Sequence, residues 1–497
     1  MTIYGPSMSL MRRRPFVGAG GGGGNLTENI TVLAAADSTF AGVGAGDGTG
    51  INPEMTGARP FSPPVQMGNR LLARGIAAQA ETVCQENGNG AVTTWNEYRS
   101  DIVSTGGFAS SSRNPTIGGF VPRMTSSSQS ITFTPGTNVD TLRFGNIRAS
   151  AFGKLGVKVD GGVAIEYDQN AGSNGYEIEV IDGLSLGAHD FEFTQISGSA
   201  HGPGFIHAYN STVPAFQIFN AGVRNTTIQY WLGTTYPSST LAALDVLTPH
   251  VVILKHFINN TRSGGAGTSY EDMKTHYKTI FEKCGTIGAR VLLVIPHDIS
   301  GYGAGWDSAT AVTFFEDLLA NEIPTYTGIP AAAIVNVPQL LFEAGLSGTT
   351  EPATYTVLDT NGYMHDGLHA KRAVQAVEGA GMGDALITMF GLTAATAVPT
   401  YSVTDLTFSV AAATAAGATP QGNGDQDTGT FSADADFATI DGGTDADHWQ
   451  IVDGYKLSPS AAGDAANLSG GSGGTYTLTV TYVKDCVPQR VTVTINT

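Results

Sequence analysis

The sequence predicts an α/β fold with a parallel sheet, one antiparallel β-sandwich inserted into it and a second β-sandwich after it. Three observations carry this. Short strands that are apolar throughout, such as ITVLAAA at 30–36, alternate with helical patterns, as buried parallel strands covered on both faces do. Between about 103 and 205 the pattern changes to period-2 runs separated by Gly, Asn and Asp turns. From about 400 the chain is again all-β.

In chain order, the first strand is followed by a helical segment, NRLLARGIAAQAETVC, within 29–102. The runs SITFTPG, TLRFGNI, GVKVDGG, YEIEVIDG and HDFEFTQI then make a sandwich of roughly 100 residues. After 206 come the short strand QIFNAG and the buried strand of PHVVILKHFINN. In SYEDMKTHYKTIFEKCG the residues Tyr270, Met273, Tyr277, Ile280 and Phe281 share one helical face, and Gly285 reads as the stop. The strand ARVLLVIPH, the helix SATAVTFFEDLLANE, the strand AAIVNV and a helix after His369 complete the α/β part at 393. The C-terminal sandwich, 400–497, holds FATIDGG, YKLSPSA, TYTLTVTYV and QRVTVTIN.

Composition bounds the function. A chain of 497 residues exceeds one ordinary domain. Charged residues are only 14% and glycines number 65, which suits turn-rich exposed modules better than a metabolic enzyme. A net charge of −18 argues against nucleic acid as partner, because phosphate contacts need a basic face. No apolar run approaches the length of a membrane span. Cys84, Cys284 and Cys486 lie too far apart for a zinc motif or a disulfide framework. Residues 1–28 read as an appendage: Arg12, Arg13 and Arg14 precede a linker, Gly20 to Gly24, without the apolar stretch of a secretion signal. The basic triplet is either a solvated tail or a docking element.

Four short blocks fall where strands of the sheet should end: ADS with Ser38, NAGVRN with Gly222, FINN with Asn259, and DGLH with Asp366 and His369. Ligands of open α/β sheets bind at that edge. Singly, each has an ordinary reading: Ser38 as a helix cap, Gly222 as a turn glycine, Asn259 and Asn260 as loop caps, Asp366 and His369 as cap residues. In this order they resemble the SGNH (GDSL-like) hydrolase family over 29–102 and 206–393. The resemblance implies a flavodoxin-like three-layer domain with Ser38 as nucleophile, His369 as base and Asp366 as its orienting carboxylate. It implies an oxyanion hole from the Ser38 and Gly222 N–H groups and the Asn259 side chain, and no cofactor. A serine hydroxyl needs a base to become nucleophilic, and the base needs a carboxylate to hold its tautomer. Two departures stand out. Ala36 replaces the family's glycine before Asp-Ser, and Phe257-Ile258-Asn259-Asn260 replaces Gly-X-Asn-Asp, which keeps Asn260 open as an alternative donor. Asp37 is read as a local cap, outside the triad. A rival reading gathers His256, His297, Asp298, His365, Asp366 and His369 around a metal ion, although no tight ligand spacing supports it.

The inserted sandwich resembles jelly-roll-like insertions of SGNH carbohydrate esterases, as a carbohydrate-binding module or a spacer. The C-terminal segment is similar to cadherin-like or Ig-like repeats. There Asp434, Asp436, Asp445 and Asp447 read as calcium ligands or as turn formers. The function expected from these resemblances is removal of O-acetyl groups from a polysaccharide of a bacterial cell surface. The glycine linker and β modules resemble phage tail fibre or tailspike proteins. That resemblance implies a virion location, other tail proteins as partners through the N-terminal segment, and a homotrimer; export without a signal peptide is the alternative. A non-catalytic receptor-binding protein on a hydrolase scaffold is the second class of function. A lipase would need an apolar lid, which the sequence does not offer.

Overall fold

In the computed structural model, the described residues are 26–45, 61–79, 82–84 and 101–393 apart from short gaps, together with the backbone of six strands between 429 and 496. Residues 1–25 lie outside them, as do Asp434, Asp436, Asp445, Asp447 and Cys486.

The body is a six-stranded parallel sheet. Its strands are β1 (Ile30–Ala36), β2 (Ala78–Gln79), β3 (Phe216–Gly222), β4 (Val251–Leu254), β5 (Arg290–Ile295) and β6 (Ala332–Asn336), in the order β6-β5-β4-β1-β3-β2. β1 lies near the centre, flanked by β3 and β4, and every one of its residues is buried. The chain crosses from β3 on one side of β1 to β4 on the other, so a topological switch point opens at the C-terminal ends of β1 and β4.

Alternation along the strands feeds two cores. Leu33, Ala35, Phe219, Val252 and Leu293 face α6 (Tyr270–Ile287) and α7 (Ser308–Asp317). Val32, Ala34, Ile218, Ile253 and Leu292 face α2 (Pro63–Ala73) and α10 (Arg372–Met389). The result is the expected three-layer α/β arrangement.

Local details depart from the sequence reading. The first long helix starts at Pro63 and ends at Ala73, so the second half of NRLLARGIAAQAETVC holds β2 and the strand Thr82–Cys84. Proline at the first helical position is preorganised for a start, and Gly75 at φ 73° accommodates the turn that ends it. Likewise α6 runs past Gly285 to Ile287, and Gly288 at φ 72° is the cap. Gly285 lies inside the helix, next to Tyr326 and Gly328.

Antiparallel pairing begins at Thr82 and extends to Tyr209, with the expected sandwich at 103–205 inside that span. A five-stranded sheet and a four-stranded sheet enclose a core that includes Phe133, Phe144, Leu155 and Phe193. The strand Phe205–Tyr209 joins this insert to the body. Ile206 and Ala208 point into the sandwich, while Phe205 packs edge-on against Phe219 of β3 at 5.3 Å. His207 Nε2 lies 2.8 Å from Gln217 Oε1, also on β3. The insert is therefore packed against the sheet that carries the site. At the C-terminus the strands form two antiparallel three-stranded sheets. No helix among the described residues is long and apolar enough to cross a membrane.

Candidate active site

β1 is followed by Asp37, whose extended backbone caps the four-residue helix α1 (Ser38–Ala41). Its Oδ1 accepts from the Thr39 N–H at 3.0 Å and the Thr39 hydroxyl at 2.8 Å, the local role expected for it. Ser38 is thus the first residue of a helix, where an N–H has no intrahelical partner. The turn is crowded. A Cβ on Gly222 would lie 2.4 Å from the Ala41 nitrogen, so glycine there lets α1 press against β3.

The second half of the site comes from far along the chain. Ser38 Oγ is 2.9 Å from His369 Nε2, and His369 Nδ1 is 2.8 Å from Asp366 Oδ2. A carboxylate only accepts, so Nδ1 carries the proton and Nε2 is left to accept from the serine hydroxyl. Asp366 Oδ1 takes the backbone N–H groups of Leu368 and His369, both at 2.7 Å. Partial burial pushes the Asp366 carboxyl up. The bond and charge of His369 and the two backbone donors outweigh it and hold the group well below the usual carboxylate range.

Three contacts hold this turn in place. His297 Nε2 donates to the Leu368 carbonyl at 2.9 Å, and the Ser300 N–H donates to that of Gly367 at 2.9 Å. Gln375 on α10 donates to the carbonyls of Val43 and Ala370 at 3.0 and 2.7 Å, tying the loop after Ser38 to the loop of His369. Gly44, at φ 91°, lets those loops meet: a Cβ there would sit 2.7 Å from the Ala370 oxygen.

The oxyanion side differs from expectation. The Gly222 N–H donates to Asn220 Oδ1 at 2.9 Å, so it is not the free donor assigned to it. Asn220 also donates to the Phe40 carbonyl at 2.8 Å and to Ser62 Oγ at 3.2 Å, anchoring α1 and the start of α2. Asn259, in the short helix α5 (Ile258–Thr261), donates one amide hydrogen to the Thr226 carbonyl at 3.0 Å. An amide has two, and the second has no partner among the described residues. Asn260 is fully buried, accepts from the Ile228 N–H and donates to Gln229 and Thr268, which removes it as the alternative. Asn259→Ala is expected to lower kcat by about 10²–10³ with little change in KM. Asn260→Ala should instead lower stability by about 1–3 kcal/mol through its stranded partners. Steady-state kinetics and urea unfolding of both variants check this; the reverse pattern would mean the wrong asparagine was chosen.

The residues of the metal reading are separated in role. Asp298 Oδ2 accepts from the Tyr355 N–H at 2.9 Å, His297 holds Leu368, and His256 is buried beside Trp231. Among the described residues no three His, Cys, Asp or Glu side chains come together as a metal site.

Burial lowers His256 and His297 to about 3, and lowers His207 as well, where Arg143 adds to the effect. All three stay neutral in the fold, while in the unfolded chain they charge below about pH 6.5. Stability is therefore expected to fall as pH drops below about 6.5, by up to ~1.4 kcal/mol per pH unit per histidine, until pH about 3 for His256 and His297. Urea midpoints flat from pH 7 to 5 would contradict it.

Sequence reasoning missed Asn220, Gln375 and the pair Lys255 and Glu378. The available signal was a polar or charged residue inside an apolar run: Asn220 in QIFNAG, Lys255 after VVIL, Glu378 in AVQAVEGAGM.

No protein-family profile matches the sequence, and no curated protein does. Among solved structures, the chain is similar to a peptidoglycan O-acetylesterase, at 14% identity and TM-score 0.49, over 73% of this chain and 91% of that one. It is also similar to a family two carbohydrate esterase from Clostridium thermocellum, at 12% identity and TM-score 0.27, over 55% of this chain and 95% of that one. A family 35 carbohydrate binding module from Clostridium thermocellum matches at 16% identity and TM-score 0.18, over 22% of this chain and 92% of that one.

Proposed function

We propose that the chain is a serine ester hydrolase that removes O-acetyl groups from a bacterial surface polysaccharide. The observation that carries the reading is the hydrogen-bonded series Ser38, His369, Asp366 at 2.9 and 2.8 Å. In the proposed reaction His369 Nε2 takes the proton as Ser38 Oγ attacks the acetyl carbonyl. Asp366 stabilises the imidazolium that results, and the proton then goes to the departing sugar hydroxyl. Water attacks the acetyl-serine in the same way and releases acetate. The Ser38 N–H and the second Asn259 amide hydrogen are the proposed oxyanion donors. These steps call for no cofactor.

A small acyl group suits the surroundings. Ser38 is only 6% exposed, and Ala36, Ala41 and Val43, close to it in the chain, are buried, as is Gly222 opposite Ala36 on β3. The polysaccharide, the tail-fibre location and the partners at the N-terminal segment belong to the same proposal and rest on the sequence. Acetate release from a panel of bacterial surface polysaccharides, with wild type and Ser38→Ala side by side, tests it. No release from any, together with no hydrolysis of a chromogenic acetyl ester, would favour the receptor-binding scaffold instead.

A further inference from the structure

The carboxylate proposed to orient His369 is held by two peptide groups. Asp366 Oδ1 accepts from the N–H groups of Leu368 and His369, both at 2.7 Å. Those N–H groups belong to the peptides Gly367–Leu368 and Leu368–His369, so the carbonyls of the same two peptides are those of Gly367 and Leu368. Each carbonyl has a donor of its own. The Ser300 N–H donates to Gly367 at 2.9 Å, and His297 Nε2 donates to Leu368 at 2.9 Å. Both donors lie on one segment, 296–303, directly after β5. Donation to a carbonyl polarises its peptide and strengthens the N–H at the other end, so both arms act on Asp366 through a peptide plane.

The segment is itself pinned at two further points. Asp298 Oδ2 accepts from the Tyr355 N–H at 2.9 Å, and the Gly303 N–H donates to the carbonyl of Thr261, two residues beyond Asn259, at 2.7 Å. Histidine is a costly choice at 297. The side chain is 2% exposed, and its Nδ1 is buried with no hydrogen-bond partner among the described residues. Burial keeps the ring neutral, and a carbonyl only accepts, so its proton is on Nε2. A leucine would fill the space without stranding a nitrogen; what the histidine provides instead is the bond to Leu368. The other arm also comes close: a Cβ on Gly367 would overlap the Ser300 hydroxyl oxygen.

We propose that His297 is a positioning residue for the ester hydrolysis: with the Ser300 N–H it fixes the two peptides that hold Asp366, and through Asp366 the ring of His369. It does not touch substrate. The inference rests on the triad reading above. The charged or titratable groups that bear on the His297 ring are Lys255, in a buried ion pair with Glu378 at 2.6 Å, and Asp366 and His369 of the turn. The variants below leave all of them unchanged. Because the His297 ring is neutral, replacing it alters no charge.

The test compares two variants of the full chain. His297→Leu removes the donor, while His297→Gln keeps an N–H that can reach the Leu368 carbonyl. Steady-state kinetics on a chromogenic acetyl ester and urea midpoints are measured on both. The third readout is the nitrogen-15 shifts of the His369 ring, assigned with His369→Ala, which report which nitrogen carries the proton. His297→Leu is expected to lower kcat about 10-fold with KM unchanged, the effect of losing one orienting hydrogen bond. A larger share of His369 should then carry its proton on Nε2, where the ring cannot accept from Ser38. His297→Gln should recover most of the loss, to within about 3-fold of wild type. A purely structural role would move the urea midpoint of His297→Leu and leave kcat and the His369 shifts alone. If His297→Leu does not fold, Gly367→Ala takes its place. By displacing Ser300 it is expected to lower kcat about 10-fold, and Ser300→Gly in the same chain to restore most of that. Wild-type kcat in the disrupting variant, a His297→Gln no more active than His297→Leu, or unmoved His369 shifts overturn the proposal. Absence of ester hydrolysis in wild type would overturn the esterase reading instead, and the His369 shifts would still decide on the positioning.

Discussion

Ser38→Ala is expected to reduce ester hydrolysis by ~10³-fold or more while leaving the fold intact. Removing Oγ deletes the proposed nucleophile, the group 2.9 Å from His369 Nε2. The structural loss is small. Alanine is the best helix former, and Ser38 opens α1 without capping it, because Asp37 does that. The missing hydrogen bond to His369 is worth about 0.5–1.5 kcal/mol. Rates on a chromogenic acetyl ester, with circular dichroism and a thermal melt on the same samples, give the answer. A variant that keeps more than about a hundredth of wild-type activity would remove Ser38 from the mechanism.

His369→Ala should be nearly as damaging, at about 10³–10⁶ in kcat, and Asp366→Asn somewhat less, at about 10²–10⁴. The difference follows from the proposed roles, in which the ring moves the proton and the carboxylate holds its tautomer. An asparagine at 366 can present an N–H to Nδ1 and turn the ring to the wrong tautomer, so Asp366→Asn tests orientation without emptying the space. Because Asp366 is held well below the usual carboxylate range, it stays ionised through the acid limb, and that limb should not report its protonation. The same depression contributes stability above the unfolded carboxyl value of about 3.9 and loses it as pH falls through the folded value. With the side chain 46% exposed the contribution is screened, so urea midpoints of Asp366→Asn and wild type should nearly coincide at pH 7. Activity of Asp366→Asn equal to wild type would remove it as the orienting group.

Much of this architecture was legible in the residues. ITVLAAA, VVIL and RVLLVI are apolar on both faces, and a strand of that kind is stable only inside a covered sheet, so the α/β body followed. The sandwich strands were legible for the opposite reason: in SITF at 130–133, alternate residues are buried. Ser38, His369 and Asp366 were placed as candidates by the order of short blocks and a family resemblance, and the tertiary structure brings them within hydrogen-bond distance across 331 positions.

Three matters were decided only by that structure. Gly222 had a free N–H on paper, but the Asn220 side chain two residues away takes it. Asn259 and Asn260 were equivalent as letters, and packing under α3 (Ile228–Leu232) commits one of them while leaving a hydrogen of the other. Lys255 and Glu378 are 123 positions apart, and nothing in either neighbourhood names the other. The division has one physical cause. Backbone geometry sets side-chain direction with a short period, so burial and strand or helix type can be read from neighbours in sequence. Which donor meets which acceptor depends on distances of a few tenths of an ångström between elements that meet only when the chain has packed, and no local pattern contains that information.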